Sequence, residues 1–269
     1  MTRTRQLAGP TPDSAHSVDG SRAGLPFDSS LTAPPRSLSL SEVEPRSVVF
    51  LDRDGTISEE VGYVNHIDRL RLFPWAAPAV RKLNEAGMAV VVVTNQSGVG
   101  QGYFPEQLVH RVHERIREEL ASQGAQVDAF YYCPHHPNAR LPAYRKVCAC
   151  RKPETGMLQQ AAADLGLDLG SAYVVGDSAR DIEMGSRARA RTVLVLTGYG
   201  KGNYEYRRAE WVNPFDFAQG HEHVEGQPDW VAENLLEAAE RIVAETRQGV
   251  LKSKSLRVRR LKDPGLKDQ

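Results

Sequence analysis

Asp52 and Asp54 stand one residue apart in Asp52-Arg53-Asp54-Gly55-Thr56, directly after the apolar run 48–51. A short buried strand ending on such a string sets a nucleophile beside an acid/base. That is the equipment for moving a phosphoryl group through a covalent aspartyl intermediate. Two other strand-like runs end in polar strings. After 89–93 comes Thr94-Asn95-Gln96-Ser97-Gly98, whose hydroxyls and backbone N–H groups would make a small anion nest. After 172–175 comes Gly176-Asp177-Ser178, with Asp181 close behind. Asp177 beside Asp52 would complete an oxygen-rich site for Mg2+, a hard cation held by a few carboxylates plus substrate phosphate. Cys150-Arg151-Lys152-Pro153 adds two cations, Lys152 as a point charge and Arg151 as a bidentate fork for phosphate oxygens. Each string alone is an ordinary polar turn. Their recurrence at strand ends is what carries weight.

A second chemistry lies between them. Cys133-x-His135, twelve residues, then Cys148-x-Cys150 supplies four ligands of zinc-preferring type and uses all three cysteines of the chain. Four protein ligands close the coordination sphere, so the Zn2+ expected here is structural. His136 competes with His135 for the fourth place. An odd number of cysteines crowded into 133–150 suits a metal site in a reducing cytosol better than a disulfide framework. Arg151 and Lys152 follow the last thiolate, so the metal would aid catalysis indirectly, by fixing the loop that presents them.

The elements needed to position these residues are legible as an alternation. Helical patterns fall at 76–87, 105–123, 154–165, 181–190 and 229–246, and strand-like runs at 48–51, 89–93, 127–132, 172–175 and 192–196. Repeated βα units imply an α/β fold with a central parallel sheet covered by helices on both faces, where ligands bind beyond the carboxyl ends of the strands. The 269 residues are 41% hydrophobic and 25% charged, with 34 basic and 34 acidic side chains. That balance fits one globular domain plus tails, and zero net charge argues against a nucleic-acid partner. No apolar stretch approaches the roughly 20 residues that span a bilayer. The expected organisation is a disordered leader over 1–44, a phosphatase domain over 45–247 with its zinc loop at 133–150, and a basic, disordered tail over 248–269. A cytoplasmic monomer without membrane partners is expected.

These linked strings resemble the haloacid dehalogenase (HAD) superfamily of phosphohydrolases. More narrowly, the run from Phe50 to Ile57, Gly62-Tyr63-Val64, Cys133-Pro134-His135-His136-Pro137 and the run from Cys148 to Pro153 resemble the heptose 1,7-bisphosphate 7-phosphatase family. The phosphatase domain of histidinol-phosphate phosphatases is its relative. The likeness runs from about Arg46 to Glu245. It implies a three-layer Rossmann-like HAD fold with a minimal cap, and a structural zinc at the cysteine positions.

The resemblance also implies roles. Asp52 is the nucleophile and Asp54 the acid/base. Mg2+ is held by Asp52, the backbone carbonyl of Asp54 and Asp177, and Asp181 supports it from behind or orients Lys152. Thr94, Asn95, Gln96, Ser97 and Lys152 surround the phosphoryl oxygens. Arg53, Glu60, Gly62, Tyr63 and Arg151 contact the rest of a small sugar phosphate. Several positions depart from the family's usual pattern: Ser58, Gln101, Thr155 and Ser178. The losses of a basic residue at 101 and 178 bear on a second phosphate. Histidinol phosphate is the rival substrate. A polynucleotide 3′-phosphatase and a non-catalytic zinc scaffold are the more distant readings, disfavoured by the neutral charge and by the presence of Asp52, Asp54, Lys152 and Asp177 together.

Overall fold

The structure, a computed structural model, describes residues 46–211 and 226–262. The leader expected over 1–44 and the end of the expected tail, 263–269, lie outside the described residues. Six strands form one sheet: β1 (Arg46–Leu51), β2 (Ala89–Asn95), β3 (Ala129–Cys133), β4 (Leu167–Gly176), β5 (Arg191–Val195) and β6 (Trp230–Ala232). All pairings are parallel, and the order is β3-β2-β1-β4-β5-β6.

Alternation along β1 makes three layers. Val49 and Leu51 pack with α1 (Ala76–Glu85), α3 (Glu106–Ala121) and α7 (Leu235–Lys262). Val48 and Phe50 pack on the other face with α4 (Gly156–Leu165) and α5 (Ala179–Arg187). All four strand residues are fully buried, as a parallel strand covered on both faces requires. Only short segments join β1 to α1 and β2 to α3, so the cap is minimal. The former carries a turn of 3-10 helix at Ile67–Arg69, the latter the short α2 (Ser97–Gly100).

The order reverses beside β1, whose neighbours are β2 and β4. In an open α/β sheet that switch point is where a crevice opens beyond the strand ends. Register sets what faces it. Leu51 pairs with both Val92 and Val175, and the Asp52 N–H donates to the Val175 carbonyl at 2.9 Å. Asp52, the Thr94–Gln96 stretch and Asp177 therefore reach the same edge.

The sequence expectations needed five corrections. The 229–246 helix begins only at Leu235, because Asp229 pins the preceding segment to β5 as a sixth strand. Its carboxylate accepts from the Thr192 N–H at 2.7 Å and from Arg191 Nε at 2.9 Å, and Asn234 then caps α7. α7 is helical backbone through Lys262, well past 246 and into the stretch expected as a disordered tail. A polar helix, α6 (Gly200–Trp211), fills a stretch read without an element. Finally, Thr94 and Asn95 belong to the end of β2 rather than to a loop, and β4 starts at Leu167 rather than 172.

Candidate active site

The centre of the crevice is a buried ammonium. Lys152 Nζ lies 2.8 Å from Asp52 Oδ1 and 2.7 Å from Asp181 Oδ1, with its side chain 2% exposed. Asp181 is as deeply buried, and its other oxygen accepts from the Ser178 N–H and hydroxyl in a capping box that starts α5. So the expected orientation of Lys152 by Asp181 is present in the geometry, and Ser178 secures it. Lys152 arrives on a loop whose backbone is clasped by Asn95. The Asn95 amide donates to the Lys152 carbonyl at 3.3 Å, and its oxygen accepts from the Lys152 N–H at 3.1 Å.

One oxygen each of Asp52, Asp177 and Asp181 lie within 4.8 Å of one another. Three carboxylates thus face one ammonium. Burial pushes the Asp52 carboxyl up to about 7, against the pull of Lys152. Burial, then the charges of Asp52 and Asp181, push Asp177 up to about 9. Burial also works against the Lys152 ammonium, but Asp181 and Asp52 more than offset it and its pKa is raised. An excess of crowded, desolvated carboxylate oxygens is the donor set of a hard divalent cation.

Asp54 is held separately. Arg53 Nε donates to its Oδ1 at 3.1 Å and Arg53 Nη2 to its Oδ2 at 2.8 Å. Gln96 Nε2 donates to Oδ2 at 2.9 Å and, equally close, to the Thr94 hydroxyl.

A cavity of about 260 Å³ opens over these groups. The sequence-nominated residues Asp52, Arg53, Asp54, Glu60, Gly62, Tyr63, Thr94, Asn95, Gln96, Ser97, Arg151, Lys152 and Asp177 all line it, whereas Asp181 stands behind the wall. The side chains of Arg53 and Asn95 are engaged as described, and Glu60 accepts from the Gly62 N–H in its own loop. Two lining residues escaped the sequence reading, Arg180 and Tyr199, while Val64 and Ser178 stood in its motif strings without an assigned contact. The Tyr199 N–H donates to Asp177 Oδ2 at 2.8 Å. Arg180 is the second residue of α5, two residues from Ser178, and no spacing rule singled it out. Gln101 is turned away, toward the Asn138 carbonyl.

The cysteine strings converge as well. Cys133, Cys148 and Cys150 Sγ atoms lie 3.2–3.6 Å apart, and His135 Nδ1 is 3.6 Å from Cys133 Sγ and 3.3 Å from Cys150 Sγ. The sulfurs are too far apart for a disulfide, whose bond is about 2.05 Å. They approach the ~3.8 Å edges of a tetrahedron with ~2.3 Å metal–sulfur bonds. Burial lowers the His135 pKa, leaving a neutral imidazole fit to be a ligand. His136 is outside the group, its Nδ1 accepting from the Asn138 N–H. Arg151 Nη1 donates to the His135 carbonyl at 2.9 Å, which ties a cavity side chain to the cluster's backbone.

Comparison with known proteins follows this geometry. A family model for haloacid dehalogenase-like hydrolases matches residues 39–189, and a second, HAD-hydrolase-like, matches 149–238. A D-glycero-D-manno-heptose-1,7-bisphosphate 7-phosphatase of Thermosynechococcus vestitus is 40% identical over 204 residues, 73% of this chain and 95% of that protein. The D-glycero-beta-D-manno-heptose-1,7-bisphosphate 7-phosphatase of Salmonella typhi is 41% identical over 165 residues, 61% and 88% of the two chains. The crystal structure of D,D-heptose 1,7-bisphosphate phosphatase from B. bronchiseptica, complexed with magnesium and phosphate, superposes with a TM-score of 0.60 at 32% identity. It covers 74% of this chain and 99% of that one.

The tightest backbone approach in the site gives a test. Gly55 has φ +78°, and a Cβ there would stand 2.0 Å from Asp177 Oδ2. Gly62 has the same φ with open space around it. Gly62→Ala should carry only left-handed strain, about 1–2 kcal/mol, or a Tm lower by roughly 2–8 °C. Gly55→Ala should lose more than that, and should also weaken divalent-cation binding by calorimetry, which Gly62→Ala should leave intact.

Proposed function

The chain belongs to the haloacid dehalogenase-like hydrolases, and from that premise we propose that it removes the 7-phosphate of D-glycero-D-manno-heptose 1,7-bisphosphate through a phosphoaspartate on Asp52. It is a phosphoric monoester hydrolase of that family. The observation that carries the reading is Asp52 at the floor of the cavity, 2.8 Å from a buried Lys152 Nζ, with Asp54 braced beside it.

The groups divide the work as follows. Asp52 attacks phosphorus with one oxygen while Lys152 holds the other and the transferring oxygens. Asp54 gives a proton to the departing sugar oxygen, then takes one from the water that opens the acyl phosphate. Thr94 and Ser97 complete a cradle for the phosphoryl group, the Gln96 N–H being held by the Cys133 carbonyl, since such catalysis is mostly placement and electrostatics. Asp52, Asp177 and the Asp54 carbonyl would hold Mg2+, with Asp181 behind. When bound, that ion would offset charge on the phosphoryl oxygens.

Glu60, Gly62 and Tyr63 form the mouth that meets the sugar. Arg151 and Arg180, which also line the cavity, would supply positive charge for the second phosphate. Arg180 thereby compensates for the uncharged Ser178, whose hydroxyl is engaged with Asp181. The cavity suits a small soluble ester rather than a polymer. No helix among the described residues is long and apolar enough to cross a membrane; that the enzyme works in the cytoplasm as a monomer is part of the same proposal. Cys133, His135, Cys148 and Cys150 would hold a structural Zn2+.

Assay of both anomers of heptose 1,7-bisphosphate beside histidinol phosphate with Mg2+ should give the highest kcat/KM on a heptose bisphosphate. Faster turnover of histidinol phosphate would replace the substrate assignment. Asp52→Asn should retain less than about a thousandth of kcat, the order expected for a disabled nucleophile. More activity than that would refute the covalent route. Cys150→Ser should lose zinc and, through Arg151 and Lys152, lower kcat/KM. Metal loss with unchanged kinetics would show the two sites to be uncoupled.

A further inference from the structure

We infer that Arg53 and His113 are positioning residues that lock the Asp54 carboxylate in the orientation from which it protonates the leaving oxygen. This rests on the proposed role of Asp54 as acid/base, and it departs from the expectation that Arg53 binds substrate. Arg53 sits between the two reactive carboxylates in sequence, yet its side chain is 1% exposed, while that of Asp54 is 19% exposed. Although Arg53 is among the lining residues, its guanidinium is almost wholly screened from the cavity's solvent.

Its three corners are all engaged. Nε and Nη2 fork onto separate oxygens of Asp54. The fork fixes the plane of the carboxylate as a single ammonium would not. Nη1 lies 3.5 Å from Nε2 of His113, a buried side chain on α3. Burial, then the charge of Arg53, bring the His113 pKa down to about 2, so the ring is neutral and Nε2 is free to accept. The ring is itself stacked on Phe130 of β3, 4.8 Å between centroids at 21°. A chain of contacts thus runs from the packed α3–β3 layer to the one oxygen pair that must meet the leaving group. Gln96 and Ser58 add donors to the same carboxylate, at 2.9 Å and 3.4 Å.

A buried Arg–Asp pair is weak grounds for stability, because well-packed apolar residues often serve as well. A proton donor, by contrast, loses much of its effect when misplaced by about 1 Å. Positioning is the role in which the arrangement matters most.

In the first half-reaction the Asp52–phosphorus bond forms, the ester P–O bond breaks, and the departing oxygen takes the proton of Asp54. An alkyl phosphate needs that proton; p-nitrophenyl phosphate releases a phenolate that leaves without it. The ratio kcat/KM reports only the steps through this first transfer, so the later task of Asp54 with water does not blur it. Arg53→Lys keeps the charge without the fork. His113→Phe keeps the ring on Phe130 without the acceptor, and His113→Gln restores an acceptor. The first two should lower kcat/KM on the alkyl ester about 10- to 100-fold more than on the nitrophenyl ester, and His113→Gln should recover most of the difference. If circular dichroism shows Arg53→Lys unfolded, the His113 pair alone decides the matter. Equal losses on both esters, no loss in a folded variant, or a His113→Gln no better than His113→Phe would overturn the inference while leaving the phosphatase reading intact. A wild-type chain that cleaves neither ester would bring down both.

Discussion

The structure of this site hangs on one buried ammonium. Lys152 Nζ stands between Asp52 and Asp181 with almost no access to water. Removing one partner from such a group typically costs about 3–5 kcal/mol, because the charge left behind stays desolvated. Burial pushes Asp52 and Asp177 strongly toward their neutral forms, and a single lysine does not balance three carboxylates. That excess of carboxylate oxygens suits a divalent cation, whose charge would in turn allow an anionic phosphoryl group to approach.

Everything around Lys152 serves to deliver it. β1 and β4 are in register, so Asp52 and Asp177 leave the sheet at one level. Asn95, the last residue of β2, clasps the Lys152 backbone from the neighbouring strand. Ser178 turns Asp181 inward by sharing a capping box with it. The cysteine cluster ends immediately before Arg151, whose guanidinium returns to the His135 carbonyl. A metal bound at those four ligands would therefore set the path of the loop carrying Lys152. The two metal sites would then be one mechanical system, with chemistry at one end only.

Much of this was written plainly in the sequence. Apolar runs at 48–51, 89–93 and 172–175 mark strands of a buried sheet, and the polar strings that follow them, with Asp52 after the first and Asp177 after the third, fall at the strand ends. The cysteine spacing nominated three ligands with His135 as the fourth and His136 as its competitor, and the structure places His135, not His136, among the thiols. β6 was hidden because three residues show no period; it is a strand through its parallel pairing with β5, beside which Asp229 is held by Thr192 and Arg191. α6 was missed because its sequence has no apolar stripe. Tyr199 contributes a backbone N–H, which no side-chain pattern reports. For His113 a signal existed: it lies four residues after Val109 on the apolar face of α3, an odd place for an imidazole.

The most direct test is thermal unfolding of the metal-free chain with and without Mg2+, at about pH 5.5 and pH 8.5. Asp52 and Asp177 are raised, so the folded state holds protons that the unfolded chain has released. Stability without metal must then fall as pH climbs from about 4 through the range of about 7 to 9. Mg2+ takes the place of those protons, so its stabilisation should be small at the lower pH and much larger at the higher one. A shift in Tm that is absent, or equal at both pH values, would contradict a cluster built to be neutralised by a divalent cation.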